Sequence, residues 1–348
     1  MGLQSSGQIK LSQIAGEFGG STPHSLSEYQ GVDDGIPNFL GGYVPLSFSD
    51  FYGASAYNPP SLFYVTVIGG GGGGGSGNST GVTGNGGGAG GRLESATVDL
   101  YGTTTFTVTV GGGGAAAIVG NPSKVTWSGS NAVHRGGMYP NNNAGEISSH
   151  IGGGAGRGPT AAYGNGGGGY GHATSGYMAS FGFGDLYSGG SGASGGYGGG
   201  GGGFLQMGQN ANNGTSPYAG RGANGASISA APNVVAGMGG GGGNANNVGG
   251  NGGSGNSYGG RGGGHTSSAI YNPLSGNANT GCGGGGGAWK TANSWATNGN
   301  GASGGSGIVI IQFDVNASPA QATTGSPVVS SNSSWRYYKF NSSGTFTL

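Results

Sequence analysis

Few side chains in this sequence could carry acid–base or covalent chemistry, and they stand far apart. Between residues 111 and 307 the acids are Glu146 and Asp185, and the histidines are His134, His150, His172 and His265. Glycoside cleavage needs two carboxylates facing each other across the scissile bond. Glu146 and Asp185 are 39 positions apart, with no further acid in that region to support them. No HExxH zinc pattern occurs. The single cysteine, Cys282, excludes both an internal disulfide and a cysteine-only zinc site. Gly287-Ala288-Trp289-Lys290-Thr291 ends like a phosphate-binding loop, but tryptophan stands where that loop requires glycine. GxGxxG spacings arise by chance in a chain with 95 glycines, so none marks a dinucleotide site. An active site needs convergent ionisable groups. Their dispersal predicts a protein that is not an enzyme and needs no cofactor and no metal.

The chain carries ten basic and ten acidic residues among 348, for zero net charge, so charge gives no basis for nucleic-acid binding. From residue 111 to 307 there are six basic side chains (Lys124, Arg135, Arg157, Arg221, Arg261, Lys290) against the two acids. Two readings stay open for this mild bias: dispersed surface charge, or a weak attraction to anionic glycans.

Aromatic side chains are what the same region offers. Tyrosine suits binding loops because it presents a large rigid surface with few torsions. The alternative role is to plug gaps where glycine-rich backbone meets solvent. The candidate receptor-contacting residues are Tyr170, Tyr177, Phe181, Phe183, Tyr187, Tyr218, Tyr271, Trp289 and Trp295.

Such residues need elements to hold them. Residues 1–57 have ordinary composition. Leu11, Ile14, Ala15 and Phe18 recur at helical spacing, with Ser12 as the expected N-cap and Gly19-Gly20 as the stop. Ser25-Leu26-Ser27-Glu28-Tyr29-Gln30-Gly31 is echoed by Ser47-Phe48-Ser49-Asp50-Phe51-Tyr52-Gly53. Each copy reads as a capped helical turn showing an aromatic. A segment this short has little core of its own. It is read as a docking module, with Leu11, Ile14, Phe18, Tyr29 and Phe51 as its contact residues.

Residues 58–313 form the next region. Leu62 to Ile68, Leu93 to Leu100, Thr103 to Val110 and Ile308 to Phe313 read as strands, and Gly102 as a tight hairpin between the second and third. These four strands are expected to make one β-base, sandwich-like, closing the region at both ends. Ala96, Val98 and Leu100 should share one face. Residues 314–348 follow as a linker and a short β-meander. The expected fold class is therefore mainly β and irregular.

Between the base strands, glycine runs at 69–75, 198–203, 239–243 and 283–287 are too irregular for collagen, which needs glycine at every third position. Ordering glycine costs more backbone entropy than ordering any other residue. A bundle of polyproline-II-like helices could offset that cost. Such helices have three residues per turn and no internal hydrogen bonds. Without side chains they can approach until backbone bonds backbone. Seven glycines would then span about 22 Å. The connecting loops, rich in aromatics, would lie at the ends of a rigid slab. That layout suits recognition better than catalysis.

The residues 2–53, with Gly7-Gln8-Ile9-Lys10-Leu11-Ser12-Gln13-Ile14 and the Ser-Leu-Ser-Glu-Tyr repeat, resemble a short N-terminal module of tailed-phage virion proteins. Phe63 to Gly71, Tyr101 to Gly114 and Gly304 to Ile311 resemble the glycine-rich domain of phage tail and other virion proteins. Trp335 to Leu348 is similar to a β-segment that follows that domain. The glycine blocks also resemble, in style, the detachable tip adhesins of T-even-type long tail fibres, in which a polyglycine-II sandwich presents loops to host outer-membrane proteins.

The resemblance implies a structural protein of a bacteriophage virion, made in the host cytoplasm and most at home in the tail. Its expected partners are other virion proteins through residues 1–57, and a host surface protein or glycan through the loops. A homo-oligomer such as a trimer is the form usual for fibres. No apolar run approaches the roughly 18 residues that span a bilayer, so no membrane insertion is expected. The alternatives are a head decoration or fibre protein of the virion, and a non-viral ice- or surface-binding polyglycine-II protein.

Overall fold

The structure is a computed structural model. It describes residues 3, 7–18, 25–26, 48, 60–77, 84–129, 132–134, 144–149, 198–204, 207–210, 219–228, 231–244, 259–265, 270–288 and 299–348. They divide into two compact units, Met1–Pro60 with Asn316–Ala320, and Ser61–Val315 with Gln321–Leu348.

In the first unit, α1 (Leu11–Phe18) buries Ile14 completely and leaves Leu11 and Phe18 half-buried. That is the apolar face the spacing predicts. The cap differs. Ser12 lies inside the helix, and Lys10 takes the N-cap position. The Lys10 carbonyl accepts from the Gln13 and Ile14 amides, and the Gln13 side chain accepts from the Lys10 amide at 2.7 Å. A glutamine three residues past the cap makes this reciprocal bond as well as glutamate does. Tyr29 and Phe51 lie outside the described residues.

The second unit is built on two antiparallel sheets. The larger runs in the order β13 (Val328–Ser331), β14 (Trp335–Phe340), β11 (Ile308–Asp314), β1 (Leu62–Ile68), β2 (Arg92–Leu100) and β5 (Ala132–His134). The smaller runs β12 (Ala322–Thr323), β15 (Gly344–Thr347), β3 (Thr105–Thr109), β4 (Lys124–Ser128) and β6 (Ala144–Ser148). Two short ribbons add β7 (Ala226–Ile228) with β8 (Ala231–Ala236), and β9 (Gly264–His265) with β10 (Ile270–Tyr271).

The sheets pack face to face through aromatic rings. Phe63 of β1 meets Phe106 of β3 edge-on at 5.0 Å, and Tyr338 of β14 meets Phe346 of β15 at 5.0 Å. Strand β3 shows why. Its sequence alternates Thr and apolar residues, so Phe106 and Val108 face inward while Thr105 and Thr107 are exposed. Strands β1 and β11 are apolar on both faces because both faces are covered. On the side away from the sandwich, Ile68, Ile308 and Ile310 form a second core with Phe204, Ile228 and Ala236. Ala96, Val98 and Leu100 of β2 are buried together, as their spacing predicts. Between Val65 and Val67 the β1–β2 register shifts. Ser95 is held there at φ 54°, its amide bonded to the Thr66 hydroxyl.

The base is a sandwich of two sheets, as expected. Two expectations about the strands need correction. Gly102 makes no hairpin, since β2 and β3 belong to different sheets and residues 101–104 cross between them. A two-residue hairpin turn requires positive φ, which Gly102 lacks. One edge of β2 is held by β1 and the other by β5, so β3 has no place beside it. The C-terminal segment is likewise no meander. Strands β13 and β14 extend the larger sheet, whereas β15 pairs with β3 in the smaller one.

From this base the glycine runs extend as a close-packed bundle. Residues 69–77 show its rule. Gly69, Gly72 and Gly75 donate to Gly91, Gly88 and Asn85; Gly70 and Gly73 donate to Asn121 and Ile118; Gly71, Gly74 and Gly77 donate to Gly305, Ala302 and Gly299. Every third amide goes to the same neighbour, which is the three-residue period of a polyproline-II-type helix. The segment 281–288 sits at the centre and is buried throughout. Gly283, Gly284 and Gly285 donate in turn to Met238, Gly72 and Leu274, at 2.8–3.0 Å. The carbonyls of Cys282, Gly283 and Gly284 accept in turn from Gly305, Gly260 and Gly87, at 2.7–2.9 Å. Six segments therefore surround it: 69–77, 84–91, 237–244, 259–263, 272–277 and 299–307. That is hexagonal packing, stitched by backbone bonds in all six directions. It answers where the amides of a chain with so little regular secondary structure are paired.

The bundle grows out of the strands without a joint. Residues 69, 91 and 307 adjoin β1, β2 and β11 directly. Ser123 locks the junction beside β4. Its hydroxyl donates to the Ile68 carbonyl at 2.6 Å and accepts from the Gly111 amide at 2.9 Å.

Candidate functional site

The bundle has one end joined to the strands and one far end. Residues 77, 84, 198, 210, 219, 244, 288 and 299 are at the far end by their place in the hydrogen-bond register. They flank the stretches 78–83, 211–218 and 289–298 on both sides, and 150–197 on its C-terminal side. Eight of the nine sequence-predicted contact residues fall in these stretches: Tyr170, Tyr177, Phe181, Phe183, Tyr187, Tyr218, Trp289 and Trp295. All eight lie outside the described residues.

The ninth, Tyr271, is described. It closes β10, paired with Gly264 across a two-stranded ribbon at the far end of 259–263. Its half-buried ring carries the Arg261 guanidinium over its face, 5.4 Å from the centroid. The Arg261 backbone is fixed, since its carbonyl accepts from the Leu274 amide at 2.8 Å. Its side chain is not: Nε is buried without a hydrogen-bond partner. Among the described residues no acid pairs with it. Arg261 was not singled out from the sequence. The available signal was its isolation in Gly259-Gly260-Arg261-Gly262-Gly263-Gly264, where a long charged side chain interrupts backbone-only packing.

The turn at 115–119, level with Gly73 and Gly74, is another described feature of the bundle. The Ile118 amide bonds the Ala115 carbonyl at 2.9 Å, Ala117 sits at φ 59°, and Ile118 and Val119 are more than half exposed.

Glu146 does not face a second carboxylate among the described residues. It lies exposed on β6, 3.6 Å from Lys124 on the adjacent β4. Among the described residues no group of three or more His, Cys, Asp or Glu is placed to hold a metal. No helix of the described residues is long and apolar enough to cross a membrane.

Cys282 is fully buried at the heart of the bundle. Its Sγ accepts from the Met238 amide at 3.3 Å, and the thiol faces the Thr280 carbonyl at 3.8 Å. Burial pushes the thiol pKa up, more than these hydrogen bonds lower it. The thiolate is the reactive form. The native protein at pH 8 should therefore resist iodoacetamide over hours and react fully once unfolded in urea. Fast native labelling would contradict the placement. The sign for stability follows from the raised pKa. The contribution is present below the ordinary thiol range near about 8.5 and is lost as pH rises through it, because only the unfolded thiol ionises there.

No curated protein and no solved structure matches the chain. A family model described as "Glycine-rich domain" matches residues 49–314, a span holding the whole bundle and strands β1 to β11. The chain belongs to this glycine-rich domain family.

Proposed function

We propose that this protein is a non-enzymatic structural component of a bacteriophage virion, a tail-fibre or tail-tip adhesin that meets the host surface with the loops at the far end of its bundle. The observation that carries the reading is topological. Residues 210 and 219, which flank 211–218 with its Tyr218, and residues 288 and 299, which flank 289–298 with its Trp289 and Trp295, lie at the end of the bundle away from the strands, as does residue 198, which follows 150–197. A hexagonal array of backbone bonds gives those loops a rigid seat, and loops on a rigid seat tolerate changes of sequence at little cost to the fold. Residues 1–57 would dock the protein to its virion partners. The Glu146 ion pair and the buried, protonated Cys282 leave neither group poised for catalysis.

The test has two arms. Immunogold labelling with antibody to residues 111–307 should decorate the tail or its fibres. Label across the head would favour a decoration protein, and no label on any particle would sink the virion reading. Replacing 211–218 and 289–298 by short Gly-Ser linkers should leave the melting temperature within a few degrees and abolish adsorption to the host. Unchanged adsorption after both replacements would overturn the adhesin assignment.

A further inference from the structure

The Arg261–Tyr271 pair is a charged group and an aromatic held together at the far end of the bundle, with no partner for the charge among the described residues. Three observations set it apart. The guanidinium stands over the Tyr271 ring at 5.4 Å, within cation–π range. The backbone beneath is rigid, since Gly260 and Gly263 donate to Gly283 and Gly286 of the central segment at 2.9 and 2.8 Å. The Arg261 Nε makes no hydrogen bond although it is buried. A buried donor left unbonded is unfavourable and uncommon in a folded protein. Turning the guanidinium onto an incoming anion would relieve it.

We infer that Arg261 and Tyr271 form a binding subsite for the carboxylate of an acidic sugar on a cell-surface polysaccharide. The planar guanidinium fork matches a planar carboxylate through two parallel hydrogen bonds. The tyrosine supplies a flat apolar surface and a hydroxyl that complement a sugar ring and its hydroxyls. The few acids between residues 111 and 307, against six basic residues, keep the local field favourable for an anion. The inference rests on the adhesin reading for its setting, but it concerns one site and can fail on its own.

The full-length protein is titrated with oligogalacturonate, with the same oligomer methyl-esterified, and with dextran sulfate, which carries no carboxylate. Oligogalacturonate should bind. Methyl esterification should abolish binding, and dextran sulfate should bind more weakly, because a sulfate ester is a weaker hydrogen-bond acceptor than a carboxylate. Arg261→Gln should weaken oligogalacturonate binding at least about tenfold, since a hydrogen-bonded charge pair is lost. Arg261→Lys, which keeps the charge and loses the fork, should also weaken it, by about threefold or more. Tyr271→Phe should weaken it less than Arg261→Gln. Melting temperatures close to wild type show that these variants fold. Absence of oligogalacturonate binding, equal binding by Arg261→Gln, or preference for dextran sulfate each overturns the subsite. Adsorption to cells by a chain whose Arg261→Gln variant adsorbs equally removes this inference and leaves the adhesin reading standing. Arg261-dependent oligogalacturonate binding without any adsorption removes the adhesin reading alone.

Discussion

Gly283→Ala is expected to destabilise the protein by more than about 3 kcal/mol, above the usual range for overpacking. Gly112→Ala should leave it as stable as before, or more stable by up to about 1 kcal/mol. The two glycines differ only in what surrounds them. A Cβ on Gly283 would fall far inside 3.0 Å of the Gly87 carbonyl oxygen, with the Gly240 amide nitrogen also at 3.0 Å. Both obstacles are backbone, in two different segments, each already bonded to others. No rotamer change can open that space, so a whole segment must move and its ladder of bonds with it. A Cβ on Gly112 meets only the Asn121 side-chain amide at 3.7 Å, which is ordinary contact. Neither glycine has positive φ, so backbone strain does not enter. What remains there is the entropy that alanine removes from the unfolded chain. Thermal melts of the two variants beside the wild type decide the matter. Equal melting temperatures for Gly283→Ala and wild type would mean that the bundle is not packed backbone against backbone.

The same contrast explains how much of the fold could be read from the sequence. The glycine runs announce polyglycine helices because few other arrangements of so many glycines can be ordered. The strands were legible too, since Thr-Phe-Thr-Val-Thr at 105–109 and Ile-Val-Ile-Ile at 308–311 carry their burial in their spelling. Which helix neighbours which was not legible. Residues 281–288 look like any other glycine run, and nothing local says that six segments will surround them. Hexagonal packing is a property of backbone, and backbone has no sequence. The sheet assignment of β3 and β15 was hidden for a related reason. Gly102 looks like a turn, and only the occupied edges of β2 exclude a hairpin there. Ser123 and Arg261 were likewise invisible as a junction and a lone cation, because the first depends on a carbonyl 55 residues away and the second on having no acid beside it among the described residues. For the candidate site, the sequence singled out Tyr271 among the aromatics but gave no sign of the guanidinium above it.

Phe346→Ala should produce the other large effect, a loss of about 3–5 kcal/mol. The ring is fully buried between the sheets. It contacts Phe106 of its own sheet at 6.3 Å, and across the sandwich it contacts Phe313 at 6.3 Å, Tyr338 at 5.0 Å and Phe340 at 6.4 Å. Alanine would leave a cavity that rings from two sheets cannot close together. Phe346→Leu fills much of it and should cost clearly less. The variant also tests whether sandwich and bundle fold as one. Strands β1, β2 and β11 continue directly into segments 69–77, 84–91 and 299–307, and those three flank the segment that holds Cys282. If the second unit opens as a whole, a defect between the sheets must expose a thiol in the bundle. Each 1.4 kcal/mol is worth about a factor of ten in the open population, so Phe346→Ala should speed Cys282 alkylation by about a hundredfold or more when reclosing outpaces reaction. An unchanged alkylation rate beside a lowered sandwich melting point would mean that the polyglycine array holds itself together without the sheets. In that case backbone bonding in six directions, with hardly a side chain involved, would be sufficient to make a cooperative core.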